Sequence, residues 1–194
     1  MKTHEPHNTG SSLLCQGNWL SLHRLTYINK LGVEKTWECA MRNRRQGAAM
    51  MIAILEPSQR LILVRQFRPP LHGKVVEFPA GLIDPGEEAA ATAVRELFEE
   101  TGYRGDVTAV APPGCNSPGL TGELITTVMM RVDETAYPTP PSTPAMEDDE
   151  DIETILVEPE KLFSFLTSAA QRGDAIDSKL MAFALARKYF HARD

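Results

Sequence analysis

The chain has 194 residues, 42% of them apolar, and a formal net charge of −6, enough for one domain with its own core and a small appendage. The acidic balance excludes a broad nucleic-acid-binding face, which needs clustered Lys and Arg. It does not exclude a small anionic substrate, because a bound metal ion reverses the local field. Cys15, Cys39 and Cys115 are odd in number and far apart, so no disulfide framework is expected and a cytoplasmic setting fits, with nuclear presence also compatible. The polar start MKTHEPHNTGSS has no apolar signal core, and no apolar run is long enough to span a membrane.

Residues 1–12 are expected to be disordered. Strands are expected over 19–28 and 34–42, joined by a turn at NKLG. Together they carry Trp19, Leu22, Leu25, Tyr27, Ile28, Val33 and Trp37, more apolar side chain than a free hairpin exposes. This pair, residues 13–46, reads as an appendage to a main domain over 47–194. Within that domain, strands over 48–55 and 61–66 form an expected hairpin through EPSQ. The RPP at 68–70 ends the pair, because proline cannot continue a ladder. A short strand over 75–78 leads into the Pro79-Ala80-Gly81 turn.

The next segment reads as a helix. Asp84, Pro85 and Glu87 suit N-cap, N1 and N3. Ala90, Val94, Leu97 and Thr101 recur at core-face spacing, and Gly102 is a natural stop. Strands are expected over 125–132 and 152–157. The Pro-rich, acidic stretch between them excludes a regular element and reads as a lid or a disordered excursion. The tail after residue 160 reads as two helices broken near Arg172 and Gly173. The expected class is α/β, a mixed sheet sandwiched between helices.

On the first of these helices, Glu96, Glu99 and Glu100 follow an i, i+3, i+4 spacing and share a face. Three crowded negative charges destabilise a bare helix, and a hard cation such as Mg2+, or Mn2+, removes the penalty. Glu96 and Glu100, one turn apart, are the best ligands, with Glu99 beside them. Arg95 is an i, i+4 neighbour of Glu99 and can reach Glu87, so it orients carboxylates without binding metal. Glu87 reads as structural, through the cap and that ion pair. The plain alternative is a solvated acidic helix face.

The pattern is narrower than an acidic face. Gly81 is followed by Glu87, then Arg95-Glu96-Leu97, Glu99, Glu100 and Gly102. This resembles the Nudix box, with Tyr103 where an aliphatic residue is usual. The resemblance implies hydrolysis of a nucleoside diphosphate linked to another group. It also implies that Gly81 turns the Ala80 carbonyl toward the metal.

Outside the box, TWECAMR, LVRQFRPP, VEFPAGLID, SPGLTGE and EDDEDIE resemble eukaryotic ADP-sugar pyrophosphatases. The implied partner is a nucleoside diphosphate sugar, with ADP-ribose cut to AMP and ribose 5-phosphate. The resemblance further implies a homodimer with shared active sites, its N-terminal strands packing across the subunits. Trp19 and Trp37 would then sandwich adenine and Glu38 would accept from its amino group; otherwise both tryptophans are core or interface residues. Arg42 and Arg68 are the phosphate candidates, with Arg44 and Arg65 as alternatives. Glu150 is the candidate base, with Glu147 and Glu153 as alternatives, and Glu123 could assist a metal. Competing readings are hydrolysis of another nucleoside diphosphate derivative, such as an oxidised guanine nucleotide, or a catalytically silent nucleotide-binding module.

Overall fold

The longest apolar run, GAAMMIAILE, becomes the central strand because nearly every residue in it is buried. In the computed structural model, which describes residues 4–43, 47–141 and 151–190, three strands precede it: β1 (His7–Gln16), β2 (Leu20–Ile28) and β3 (Glu34–Arg42). The central strand is β4 (Gly47–Glu56), followed by β5 (Leu61–Arg68), β6 (Gly73–Glu77) and β7 (Ala80–Leu82). Helix α1 (Ala89–Thr101) leads to β8 (Asp106–Val110), β9 (Gly114–Cys115) and β10 (Leu124–Asp133). The chain closes with β11 (Ile152–Val157), α2 (Leu162–Gln171), β12 (Ala175–Ile176) and α3 (Ser178–Phe190).

β1, β2 and β3 form a separate antiparallel sheet. The remaining strands form a mixed sheet in the order β12-β6-β5-β4-β10-β8. β11 pairs with β5, β7 with β4 and β9 with β10. β10 runs parallel to β4 along its full length. Side chains alternate across this sheet with period two. Met51, Leu55 and Ile62 pack against Ala93 and Leu97 of α1. Met50, Ile52, Leu61 and Leu63 pack against Leu162 and Leu166 of α2 and Leu180 of α3. The expected sandwich of a mixed sheet between helices is therefore present. Tyr103 fits the α1 cluster, fully buried with its ring edge-on to Tyr137 at 4.9 Å between centroids.

Several elements differ from the expectation. Residues 7–12, expected to be disordered, belong to β1. That strand is exposed throughout and has no apolar alternation, so only its backbone pairing with β2 defines it. The expected hairpin through EPSQ is brief. Only Ala53 with Ile62 and Ile54 with Leu61 pair, after which β5 pairs with β6 from Val64 on, while β11 pairs with it from Leu61 to Gln66.

The helix begins at Ala89 with Glu88 as N-cap, four residues after the expected cap Asp84. Gly86 has φ +83°, a left-handed conformation that interrupts a helix. Asp84 to Glu87 form a turn instead, the Glu87 N–H donating to the Asp84 carbonyl at 2.9 Å. Gly102 ends the helix as expected, with φ +73° and its N–H donating to Phe98 O. Glu147, Glu150 and Arg44 lie outside the described residues.

Candidate active site

β7 is pinned to the central strand through the pairs Ala48–Leu82, Ala49–Gly81 and Met50–Ala80. α1 packs over it, and this brings the Glu96 carboxylate onto Gly81. A Cβ at residue 81 would lie 1.8 Å from Glu96 Cδ. Glycine is needed here to give the carboxylate room. Glu100 turns inward and is only 8% exposed. Its Oε2 accepts from the Ala80 N–H at 3.1 Å. Burial, then the Glu96 charge, pushes its carboxyl well above the ordinary carboxylate range. Arg68 opposes that shift and Glu77 adds to it, so both charges bear on Glu100.

Arg95 ties the outer carboxylates together. Its Nη1 donates to Glu96 at 2.8 Å and to Glu99 at 2.9 Å. Its Nε and Nη2 donate to Glu87 at 3.2 and 2.9 Å. Glu87 also accepts from Thr92 Oγ1 at 2.8 Å and from the Asp84 N–H. Arg95 thus reaches Glu87 as well as Glu96 and Glu99.

Arg95, with Thr92 and Asp84 behind it, lowers the Glu87 carboxyl from 4.5 to about 2. A depressed folded-state value means stability that is present above pH 4.5 and lost as pH falls toward 2. Glu87→Gln is therefore expected to lower Tm at pH 7. The gap from wild type should narrow below pH 4.5. Melting curves across pH check this, and a gap independent of pH would mean that the ion pair contributes nothing.

A second group of residues gathers on the segment between β9 and β10. The Trp37 indole N–H donates to Gly119 O at 3.2 Å, and the Ala40 N–H to Leu120 O at 2.9 Å. Arg42 pairs with Glu123 through Nε. Arg68 pairs with Glu77 through Nε at 2.8 Å.

Other candidates are placed elsewhere. Trp19 is 78% exposed. Glu38 faces its cross-strand partner Arg24 at 3.6 Å, both of them exposed. Arg65 is committed to Asp174 at 2.7 Å and to Glu153 at 3.3 Å. That pairing occupies two of the alternatives, Arg65 for phosphate and Glu153 for the base. Glu77 is the charged residue that the sequence reading passed over. It stands within VEFPAGLID, opposite Val64 in the β5–β6 pairing, and its side chain reaches Arg68 and bears on Glu100.

Among the described residues, no group of three His, Cys, Asp or Glu side chains is arranged to hold a metal ion. Arg95 spans Glu96 and Glu99 as the side chains lie. The donor chemistry nevertheless fits a hard divalent cation. Glu100 is buried against the like charges of Glu96 and Glu77, and a cation relieves that conflict with the oxygen ligands it prefers. Glu96, Glu99 and Glu100 would hold it.

The helix-flanked mixed sheet, with a glutamate-bearing helix packed on its edge strand, defines a class of hydrolases. A NUDIX domain matches residues 44–181, and the chain belongs to this family. It is 34% identical to an ADP-sugar pyrophosphatase of Mus musculus, over 95% of this chain and 88% of that protein. It is 32% identical to an ADP-ribose pyrophosphatase of Saccharomyces cerevisiae, over 90% and 80% of the two chains. A crystal structure of an ADP compounds hydrolase superposes with a TM-score of 0.70 at 17% identity, covering 100% of this chain and 98% of the other. At that identity the likeness concerns the fold.

Proposed function

We propose that this protein is a Mg2+-dependent ADP-ribose pyrophosphatase that releases AMP and ribose 5-phosphate. The observation that carries this reading is the carboxylate cluster of α1 seated on Gly81 of β7. Two relatives covering most of the chain are pyrophosphatases of ADP-sugar and ADP-ribose. When bound, the metal would acidify water and neutralise charge on phosphate oxygens. Arg42 and Arg68 each engage a carboxylate through Nε, and their other N–H groups suit phosphate oxygens. Ala80 is assigned a ligand role through its carbonyl and Glu150 the role of base. Mn2+ is the alternative metal.

The test is hydrolysis of ADP-ribose against oxidised guanosine diphosphate, with Mg2+ and product analysis. ADP-ribose should be strongly preferred and yield AMP. Preference for the guanine nucleotide would overturn the reading.

Adenine is assigned to Trp37 and Trp19, with Glu38 beside them. Trp37 is half exposed and held by Gly119. Trp37→Ala should raise KM for ADP-ribose by roughly 5- to 100-fold, the loss of one stacking face, with a smaller change in kcat. An unchanged KM would make Trp37 structural.

A homodimer with shared sites belongs to the same reading. Leu13, Trp19, Leu20, Leu22, Val33 and Trp37 are all exposed on the N-terminal sheet and its turns, and a second copy would cover them. Light scattering should give twice the 21.5 kDa chain mass. Mixing Trp37→Ala with Glu100→Gln subunits should recover about one intact site per heterodimer. Mixed subunits that each stay defective, with no site of wild-type KM and kcat recovered, would place both residues in one subunit's site. A cytoplasmic setting fits the three free cysteines. Among the described residues, no helix is long and apolar enough to cross a membrane.

A further inference from the structure

The segment that holds Trp37 is anchored from two sides. Residues 116–123 leave the β9–β10 ladder after Cys115 and rejoin it at Leu124. None of them is buried, so polar contacts rather than packing fix the segment. On one side it meets β3. Gly119 O accepts from the Trp37 indole, Leu120 O accepts from the Ala40 N–H, and Glu123 pairs with Arg42. On the other side, Asn116 Oδ1 accepts from Lys179 Nζ at 3.3 Å.

Lys179 stands in the first turn of α3, where a cation opposes the helix macrodipole. The helix itself gains nothing from a lysine there. Asp177 makes the position tenable. Its Oδ1 accepts from the backbone N–H groups of Lys179 and Leu180 at 2.9 and 3.1 Å, which caps the helix. Its Oδ2 accepts from the Lys179 ammonium at 2.6 Å.

Asp177 is itself rooted in the main sheet. Its N–H donates to Val76 O at 3.0 Å, and the preceding strand β12 pairs with β6. β6 runs on through Glu77 to β7, where Gly81 seats the α1 carboxylate Glu96. A short relay therefore joins the two ends of the candidate site. It starts at the strand that leads into the carboxylates, passes through Asp177, Lys179 and Asn116, and ends at the segment that holds Trp37.

We infer that Lys179 is a positioning residue, which braces the 116–123 segment against the root of α3 and so sets the distance of Trp37 from the carboxylates. This rests on the assignment of adenine to Trp37 in the reading above. A nucleotide diphosphate has to engage both ends at once, so the brace acts on binding more than on the chemical step.

Lys179→Met keeps the length of the side chain and deletes the ammonium, and Asn116→Ala deletes its acceptor. In the Mg2+-supplemented enzyme, each should raise KM for ADP-ribose by about 3- to 10-fold, the span of one net hydrogen bond, with kcat near wild type. Lys179→Arg keeps the charge and the donors and should stay within about 2-fold of the wild-type KM. The double variant should cost little more than either single change. Acrylamide quenching reads the brace without substrate. In a Trp19→Phe background Trp37 is the remaining tryptophan, and adding Lys179→Met should make its emission easier to quench. An unchanged KM in both single variants, additive losses in the double variant, or unaltered quenching would overturn the inference. A matching fall in kcat and Tm would also overturn it, since Lys179 would then serve the fold alone. Wild type that fails to hydrolyse ADP-ribose would remove the functional reading, and quenching would then decide the brace by itself.

Discussion

Glu100→Gln is expected to keep the fold and to lower kcat by about 100-fold or more, since the metal proposed to bind this carboxylate would supply several kcal/mol of transition-state stabilisation. A glutamine keeps the size of the side chain, and its carbonyl oxygen can still accept the Ala80 N–H that now donates to Glu100. It removes one of the like charges buried beside Glu96 and Glu77. The same change should make the metal-free protein more stable. A carboxyl raised in the folded state binds more protons folded than unfolded, so wild-type stability falls as pH rises past the ordinary value of 4.5. The glutamine variant lacks that loss and should melt higher than wild type at neutral pH in chelator. Steady-state kinetics and melting curves on the same preparation test both halves. Half the wild-type turnover would remove Glu100 from the metal site. A lower Tm would mean that the carboxylate is tolerated better than its surroundings indicate.

The legible part of this site is the part that one helix sets by itself. Glu96, Glu99, Arg95 and Glu87 stand in contact because a turn of helix and a short loop bring them together, and local spacing encodes that. Strands with alternating or continuous apolar runs were legible for the same reason. β3 and β11 have the bounds expected for them. Contacts made between distant strands were not. Glu77 of β6 bears on Glu100 of α1, 23 residues later. Trp37 meets Gly119, 82 residues later. The helix start was misplaced because Asp84, Pro85 and Glu87 carry strong cap signals, and nothing in their side chains reveals that Gly86 adopts positive φ. β1 is exposed at every position and its apolar residues, Leu13 to Cys15, do not alternate, so its pairing with β2 is a backbone matter.

Gly81→Ala is expected to abolish most of the activity while leaving the fold intact, which separates it from an ordinary glycine substitution. The new Cβ would lie 1.8 Å from Glu96 Cδ and 2.1 Å from its Oε1, far inside contact distance. The atoms it meets are the free end of a flexible side chain, so Glu96 can swing away at modest cost. Backbone strain is small by comparison, because Gly81 is a strand residue paired with Ala49. The carboxylate that swings away is one of the two best placed to hold the metal, and a displacement near 1 Å at such a position can cost about 100-fold. Gly86→Ala provides the contrast. It has open space around its Cβ but φ +83°, so it should lose roughly 1–2 kcal/mol of stability and keep far more of its turnover. Because Gly81→Ala acts through Glu96, adding it to Glu96→Gln should cost little beyond the single Glu96 change, a non-additivity that a double-mutant cycle measures. Additive losses, or near-wild-type kcat in Gly81→Ala, would show that the seat of Glu96 on residue 81 has no part in catalysis.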